Sequence, residues 1–97
     1  MTKIENLKIE RKNDVLKRVP FSKATLHRYI NQGIFPPSIS LGARSVGFLS
    51  HEIDAFIAAK ALNQDLSMLV ESLLKQREQL SASFLSFFPH SANKEGN

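Results

Sequence analysis

Between Ser22 and Gly33 the chain reads Ser-Lys-Ala-Thr-Leu-His-Arg-Tyr-Ile-Asn-Gln-Gly, and this stretch is rich in groups able to hold an anion. Leu26 and Ile30, four residues apart, predict the buried stripe of a short helix. Ser22 precedes it as a hydroxyl cap and Gly33 follows it as a stop. Lys23, Thr25 and Arg28 then share the opposite side, an outward face that is cationic and hydroxyl-bearing and carries no acid. Such a face suits the phosphates of DNA, whose major groove admits an α-helix. There Lys23 can donate to guanine acceptors, while Thr25 can bond a base or phosphate or touch a thymine methyl. Arg28, one turn along, grips phosphate or reads a base. His27 either reaches the DNA backbone or packs neutral against the preceding helix. Tyr29 either flanks the core or donates to phosphate.

The elements around this helix must present it. Asp14 to Arg18 predicts a short helix, with Asn13 as its cap and Val15, Leu16 and Val19 facing inward; Pro20 stops it. A tight turn through Pro20-Phe21 leads into the second helix, and the pair makes a helix-turn-helix whose second member is the reader. Ile34-Phe35-Pro36-Pro37 is a rigid apolar connector that cannot be helical. Ser38 to Leu41 alternates as a half-buried strand does, Gly42 to Ser45 turns, and Val46 to Leu49 returns. This hairpin reads as a wing, with Arg44 and Ser45 at its tip as probes of phosphate or of a narrow minor groove. Ser50 is expected to cap a further helix with Glu52 and Asp54 in its first turn and Ile53, Phe56 and Ile57 as its core stripe.

Beyond Asn63 the pattern changes. Leu66, Val70, Leu73, Arg77, Leu80, Phe84 and Phe87 alternate four- and three-residue spacings, a heptad seam interrupted once by Arg77. Leu69, Leu74 and Phe88 widen its apolar face. The seam predicts an amphipathic helix that either associates with a second copy or folds back over its own domain. In the first case Arg77 would snorkel to the edge or pair with Glu71 or Glu78 of a partner. The expected organisation is a charged arm or short edge strand over 1–12, a winged helix-turn-helix over 13–63, the amphipathic helix over 64–88 and a disordered tail over 89–97. The fold class is mostly α with a small β-hairpin.

Charge follows the same division. Residues 1–50 hold nine Lys/Arg against three acids, and residues 51–97 hold four against six, so the basic half contains the candidate reader. Lys8, Arg11, Lys12, Lys17 and Arg18 read as sequence-blind positive charge. The chain has 97 residues and no cysteine, which allows one small domain without disulfides and a reducing, cytoplasmic setting. Neither a membrane span nor the apolar core of a secretory signal is present in the sequence. The histidines at 27, 51 and 90 fall in different elements without metal-ligand spacing, and Gly42 to Gly47 lacks the lysine of a phosphate loop. The expectation is a binding protein without cofactor or metal, not an enzyme.

Three blocks, Phe21 to Ile30, Gly33 to Pro36 and Leu41 to Phe56, resemble in order and spacing the AlpA-type phage and prophage regulators, relatives of excisionases and of MerR-type DNA-binding domains. Phe48 and Phe56 stand where that family usually has Trp, and Pro20-Phe21 where it often has a small residue. The resemblance implies a site-specific DNA-binding protein of a mobile element, acting on the element's genes, commonly the integrase gene, or assisting excision by bending attachment-site DNA. Three uses of the chain are open at this point: a transcription regulator, a recombination directionality factor, or an interaction module working through the last helix. Double-stranded DNA and a second copy are the expected partners, with integrase or RNA polymerase as further ones. The residues expected on DNA are Ser22, Lys23, Thr25, His27, Arg28, Arg44 and Ser45; those expected at a self-association seam are Leu66, Val70, Leu73, Leu80, Phe84 and Phe87.

Overall fold

The computed structural model describes residues 7–85. Its elements are β1 (Ile9–Arg11), α1 (Lys12–Arg18), α2 (Lys23–Asn31), β2 (Ile39–Ser40), β3 (Val46–Leu49), α3 (Ser50–Ala61) and α4 (Leu66–Leu85). Helices α1 and α2 form the helix-turn-helix, β2 and β3 form the wing, and the long α4 follows: a winged helix-turn-helix, mostly helical. The sheet has one strand more than a hairpin. Strand β1, from the stretch expected to be an arm or a short edge strand, pairs antiparallel with β3, giving the order β1-β3-β2. Gly47 permits this arrangement. It lies opposite Arg11 on one side and Ile39 on the other, and a Cβ there would come within 2.6 Å of Ile9 Cγ2 and 2.9 Å of Leu41 Cδ1.

Helix α1 begins at Lys12 with Arg11 at its N-cap position, so Asn13 lies inside the helix and does not cap it. The ladder to β3 carries extended backbone up to Arg11 and decides the start. Helix α2 matches its signals. The Ser22 hydroxyl accepts the Thr25 N–H at 3.2 Å, and Leu26 is fully buried. At the other end the Gly33 N–H donates to the Ile30 carbonyl and the Ile34 N–H to the Tyr29 carbonyl, both at 3.1 Å. Gly33 takes φ +76° to close this motif, a conformation that costs a residue with a Cβ more. Helix α3 ends the same way on Asn63 at φ 55°. Asp65 then starts α4: its carboxylate accepts the Met68 N–H at 3.1 Å and the Ser67 hydroxyl at 2.8 Å. The Met68 bond, more than the Ser67 bonds, holds the Asp65 carboxyl below its usual range. That contribution is therefore present above the unfolded carboxyl's titration and lost as pH falls through the folded one.

Ser50 does not cap α3. It is the first helical residue, and its hydroxyl donates to Glu10 Oε2 at 2.5 Å, across to β1. The core stripe of α3 is Ile53 and Phe56, together with Glu52 and Ala59; Ile57 stays exposed. The centre of the molecule is aromatic. Phe35 is fully buried, with ring centroids 4.6 Å from Phe56, 5.9 Å from Phe48 and 6.2 Å from Phe21. Val15, Val19, Leu26 and Ile53 close around it, and Phe21, Tyr29, Leu66 and Leu69 pack on its rim.

Helix α4 lies against α3 within the same chain. Val70 and Leu73 are buried, and Leu66 and Leu69 are half-buried. Arg77 corrects the sequence reading most sharply. Its Nε donates to Glu52 Oε2 at 2.8 Å, and its guanidinium also reaches Glu52 Oε1 at 2.6 Å and the Pro37 carbonyl at 2.8 Å. The pair is internal, not with Glu71 or Glu78 of another copy. Glu52 is 1% exposed, so its carboxylate depends on this one cation for compensation.

Two stability measurements test these assignments. Arg77→Ala strands the Glu52 carboxylate in the core and should cost about 3 kcal/mol by urea unfolding, with more than half recovered when both residues are replaced by Leu. Ser22→Ala should cost about 1 kcal/mol by the same measurement, the usual loss for a hydroxyl cap.

Candidate nucleic-acid interface

The face of α2 away from Leu26 presents Ser22, Lys23, His27 and Arg28 to solvent, with Thr25 half-buried. Ala24, between them, is exposed as well and leaves room for close approach of a surface. The Ser22 hydroxyl also donates to Thr25 Oγ1 at 3.2 Å, which sets the Thr25 rotamer and leaves its own proton for another acceptor. Arg28 lies 5.7 Å from the centroid of the Tyr29 ring. Tyr29 is half-buried and packs edge-on against Phe21 at 5.1 Å, so of its two expected roles the core-flanking one is met.

On the wing, the Leu41 N–H donates to the Ser45 carbonyl at 2.9 Å and closes the turn that carries Gly42, Ala43 and Arg44. Gly42 adopts φ +143° there, and Arg44 is exposed. The seven residues expected on DNA thus fall into two groups, five at α2 and two at the wing tip. Lys12 connects the groups. Its Nζ lies 3.1 Å from His27 Nε2 on α2, while the same residue lines a concavity of about 200 Å³ with Arg11, Arg44 and Ser45. His27 neighbours α1 only through the Lys12 ammonium and stays exposed, so it is not the partly buried histidine packed against the first helix that one of its two readings expected. Sequence reading counted Lys12 and Arg11 only as diffuse charge. No local signal marks them, because their position depends on the pairing of β1 with β3.

Arg18 corrects that diffuse-charge reading in the other direction. Its guanidinium bonds the Glu10 and Asp54 carboxylates, which tie β1, α1 and α3 together. The Asp54 hydrogen bond is the main reason its pKa is raised, and the residue is neutralised in place. Lys17 sits 3.8 Å from Asp14 on the surface.

A larger groove of about 750 Å³ runs between α3 and α4, lined by His51, Ala55, Leu69, Leu73, Gln76 and Leu80 among others. It contains none of the residues expected on DNA. Of the residues expected at a self-association seam, Leu66, Val70 and Leu73 pack within the chain, Leu80 is half-buried at the groove and Phe84 is exposed; Phe87 lies outside the described residues. Among the described residues no group of three His, Asp or Glu side chains is placed to hold a metal ion, and no helix is long and apolar enough to cross a membrane.

Enterobacteria phage P4 encodes an uncharacterized protein, ORF88, that is 34% identical over 47 residues, which is 48% of this chain and 53% of ORF88. The chain thus aligns with about half the length of that relative. No solved structure matches. Residues 8–61 match the family model described as Prophage CP4-57 regulatory protein (AlpA). That span runs from the lead-in to β1 to the last residue of α3 and contains the whole helix-turn-helix and wing. With more than half of its length matched, the chain belongs to the AlpA family of prophage regulatory proteins.

Proposed function

We propose that this prophage regulator works by binding duplex DNA in a sequence-specific way, with α2 in the major groove and the wing tip on the adjoining backbone. The observation that carries the reading is the single cationic surface running from Lys23 and Arg28 through His27 and Lys12 to Arg44 and Ser45. Lys23 and Thr25, at the start of α2, are the base readers; Arg28 and Arg44 hold phosphate. The target lies near the element's integrase gene, and occupancy there changes its transcription. The protein acts in the cytoplasm on the nucleoid. Self-association through the distal part of α4 doubles the few contacts one small domain makes. In support, Leu74, Phe84 and Leu85 of α4 are all more than a third exposed.

A footprint of the purified protein across its own gene, the nearest integrase gene and the attachment site tests the reading. One protected site over a promoter is the expected result; tandem sites inside the attachment region would instead make the protein a directionality factor. Lack of protection at moderate salt would leave the interaction-module reading, with α4 as the contact. On a footprinted site, Arg28→Ala should weaken all duplexes alike and lower the salt slope by about 1. Thr25→Ala and Lys23→Ala should each cost roughly 1–3 kcal/mol on the specific site and far less on random DNA. In sedimentation the chain should run as a dimer, and Leu74→Lys with Leu80→Lys should convert it to a monomer.

A further inference from the structure

The concavity between the β1–α1 junction and the wing belongs to neither the recognition helix nor the hairpin alone. It measures about 200 Å³ and is lined by Arg11, Lys12, Asn13, Arg44, Ser45 and Val46. Three of these are cations, two carry neutral hydrogen-bond donors, and no carboxylate lines the space. The acids nearest in sequence are engaged elsewhere. Glu10 takes Arg18 and the Ser50 hydroxyl, and Asp14 lies beside Lys17. None of Arg11, Lys12 and Arg44 has a carboxylate partner among the described residues. The cations come from two stretches of backbone far apart in sequence, Arg11-Lys12 and the turn that carries Arg44. Arg11 ends β1 opposite Gly47, Lys12 opens α1, and Arg44 sits in the β2–β3 turn. Chain adjacency puts Arg11 beside Lys12, and the strand pairing brings Arg44 to them.

Gathering three like charges around one space raises the free energy of the empty protein and lowers that of a complex with an anion. We propose that this concavity seats a phosphate of the DNA backbone, held by Arg11, Lys12 and Arg44 with Asn13 and Ser45 as neutral donors. The proposal rests on the DNA-binding reading above and adds Arg11, Lys12 and Asn13 of the β1–α1 junction to the phosphate contact already given to Arg44 at the wing tip. Duplex backbone is the form of phosphate that fits, for two reasons. The space is an open cleft between two surface elements, suited to the edge of a long polyanion. Lys12 also contacts His27 of α2, so the seat continues the line of the recognition helix. An ammonium has three donors, and Lys12 can keep His27 with one while giving another to phosphate. The seat would set how far the wing stands from α2 on the duplex. Recognition would then depend on the β1–β3 pairing as well as on the helix.

The test is a salt titration of the full chain by fluorescence anisotropy on a random 20-base-pair duplex and on the footprinted site. Arg11→Gln with Lys12→Gln should lower the slope of log K against log salt by about 1 and weaken binding roughly tenfold at about 0.1 M salt, equally on both duplexes. Lys75→Gln on α4 should leave the slope as in the parent, and Lys12→Arg should preserve it. Both parent residues reach solvent, so an unchanged urea midpoint confirms that the double variant is folded. A double-variant slope equal to the parent's, while Lys23→Ala with Arg28→Ala still weakens binding, overturns the phosphate seat and leaves the DNA reading standing. Absence of binding by the parent chain overturns both.

Discussion

Phe35 sits where α2, the wing and α3 meet, and the orientation of α2 depends on it. The residue lies just after the helix, in a segment whose two prolines forbid both a further helical turn and a central strand. The backbone there can contribute little regular hydrogen bonding, so the side chain must hold the connector. It does so by full burial against Phe48 of β3, Phe56 of α3 and Phe21 at the entry to α2. Burying a ring of this size contributes on the order of 2–3 kcal/mol, before the edge-to-face contacts add to it. Its larger consequence is geometric. With Gly33 and Ile34 closing α2 by two backbone bonds, the interval from the helix to the wing is held at both ends, as the proposed two-part contact with DNA requires.

Charge in this chain divides into two populations that do different work. Glu10, Arg18 and Asp54 bind one another across β1, α1 and α3, and Glu52 with Arg77 pins α4 to the core and to the Pro37 carbonyl. In these groups Arg18 and Arg77 are each engaged by carboxylates, so neither adds free positive charge to the surface. Lys23, Arg28, Arg11, Lys12 and Arg44 have no carboxylate of their own among the described residues and all lie on the α2–wing side. A net charge of only +4 therefore understates the polarity of the molecule. The α2–wing side is cationic because none of these five cations is paired with a carboxylate among the described residues.

Helix α4 covers its own domain with its first half, one of the two roles its heptad spacing left open. A seam of apolar residues every three to four positions identifies a helix with one sticky face, and it says nothing of whose surface the face meets. Arg77 shows why. On a two-stranded seam it is a defect, whereas against α3 it meets a carboxylate that no solvent reaches.

The sequence by itself determined the local elements whose signals are short-ranged. The Ser22 cap, the Leu26–Ile30 stripe and the Gly33 stop define α2 within twelve residues, and the expected order of helix, helix, hairpin, helix is the observed one. Helical periodicity also made the exposure of Lys23 and Arg28 legible, whereas Thr25, read as outward-facing, is half-buried. Pairing across long intervals was decided only by the tertiary structure. Strand β1 joins β3 some forty residues later, Arg77 finds Glu52, and Ser50 gives up a capping role to reach Glu10. Each outcome depends on which groups lose water together, and desolvation is a property of the packed whole. Arg18 and Lys12 look alike in the sequence, but packing neutralises the first and leaves the second beside the wing.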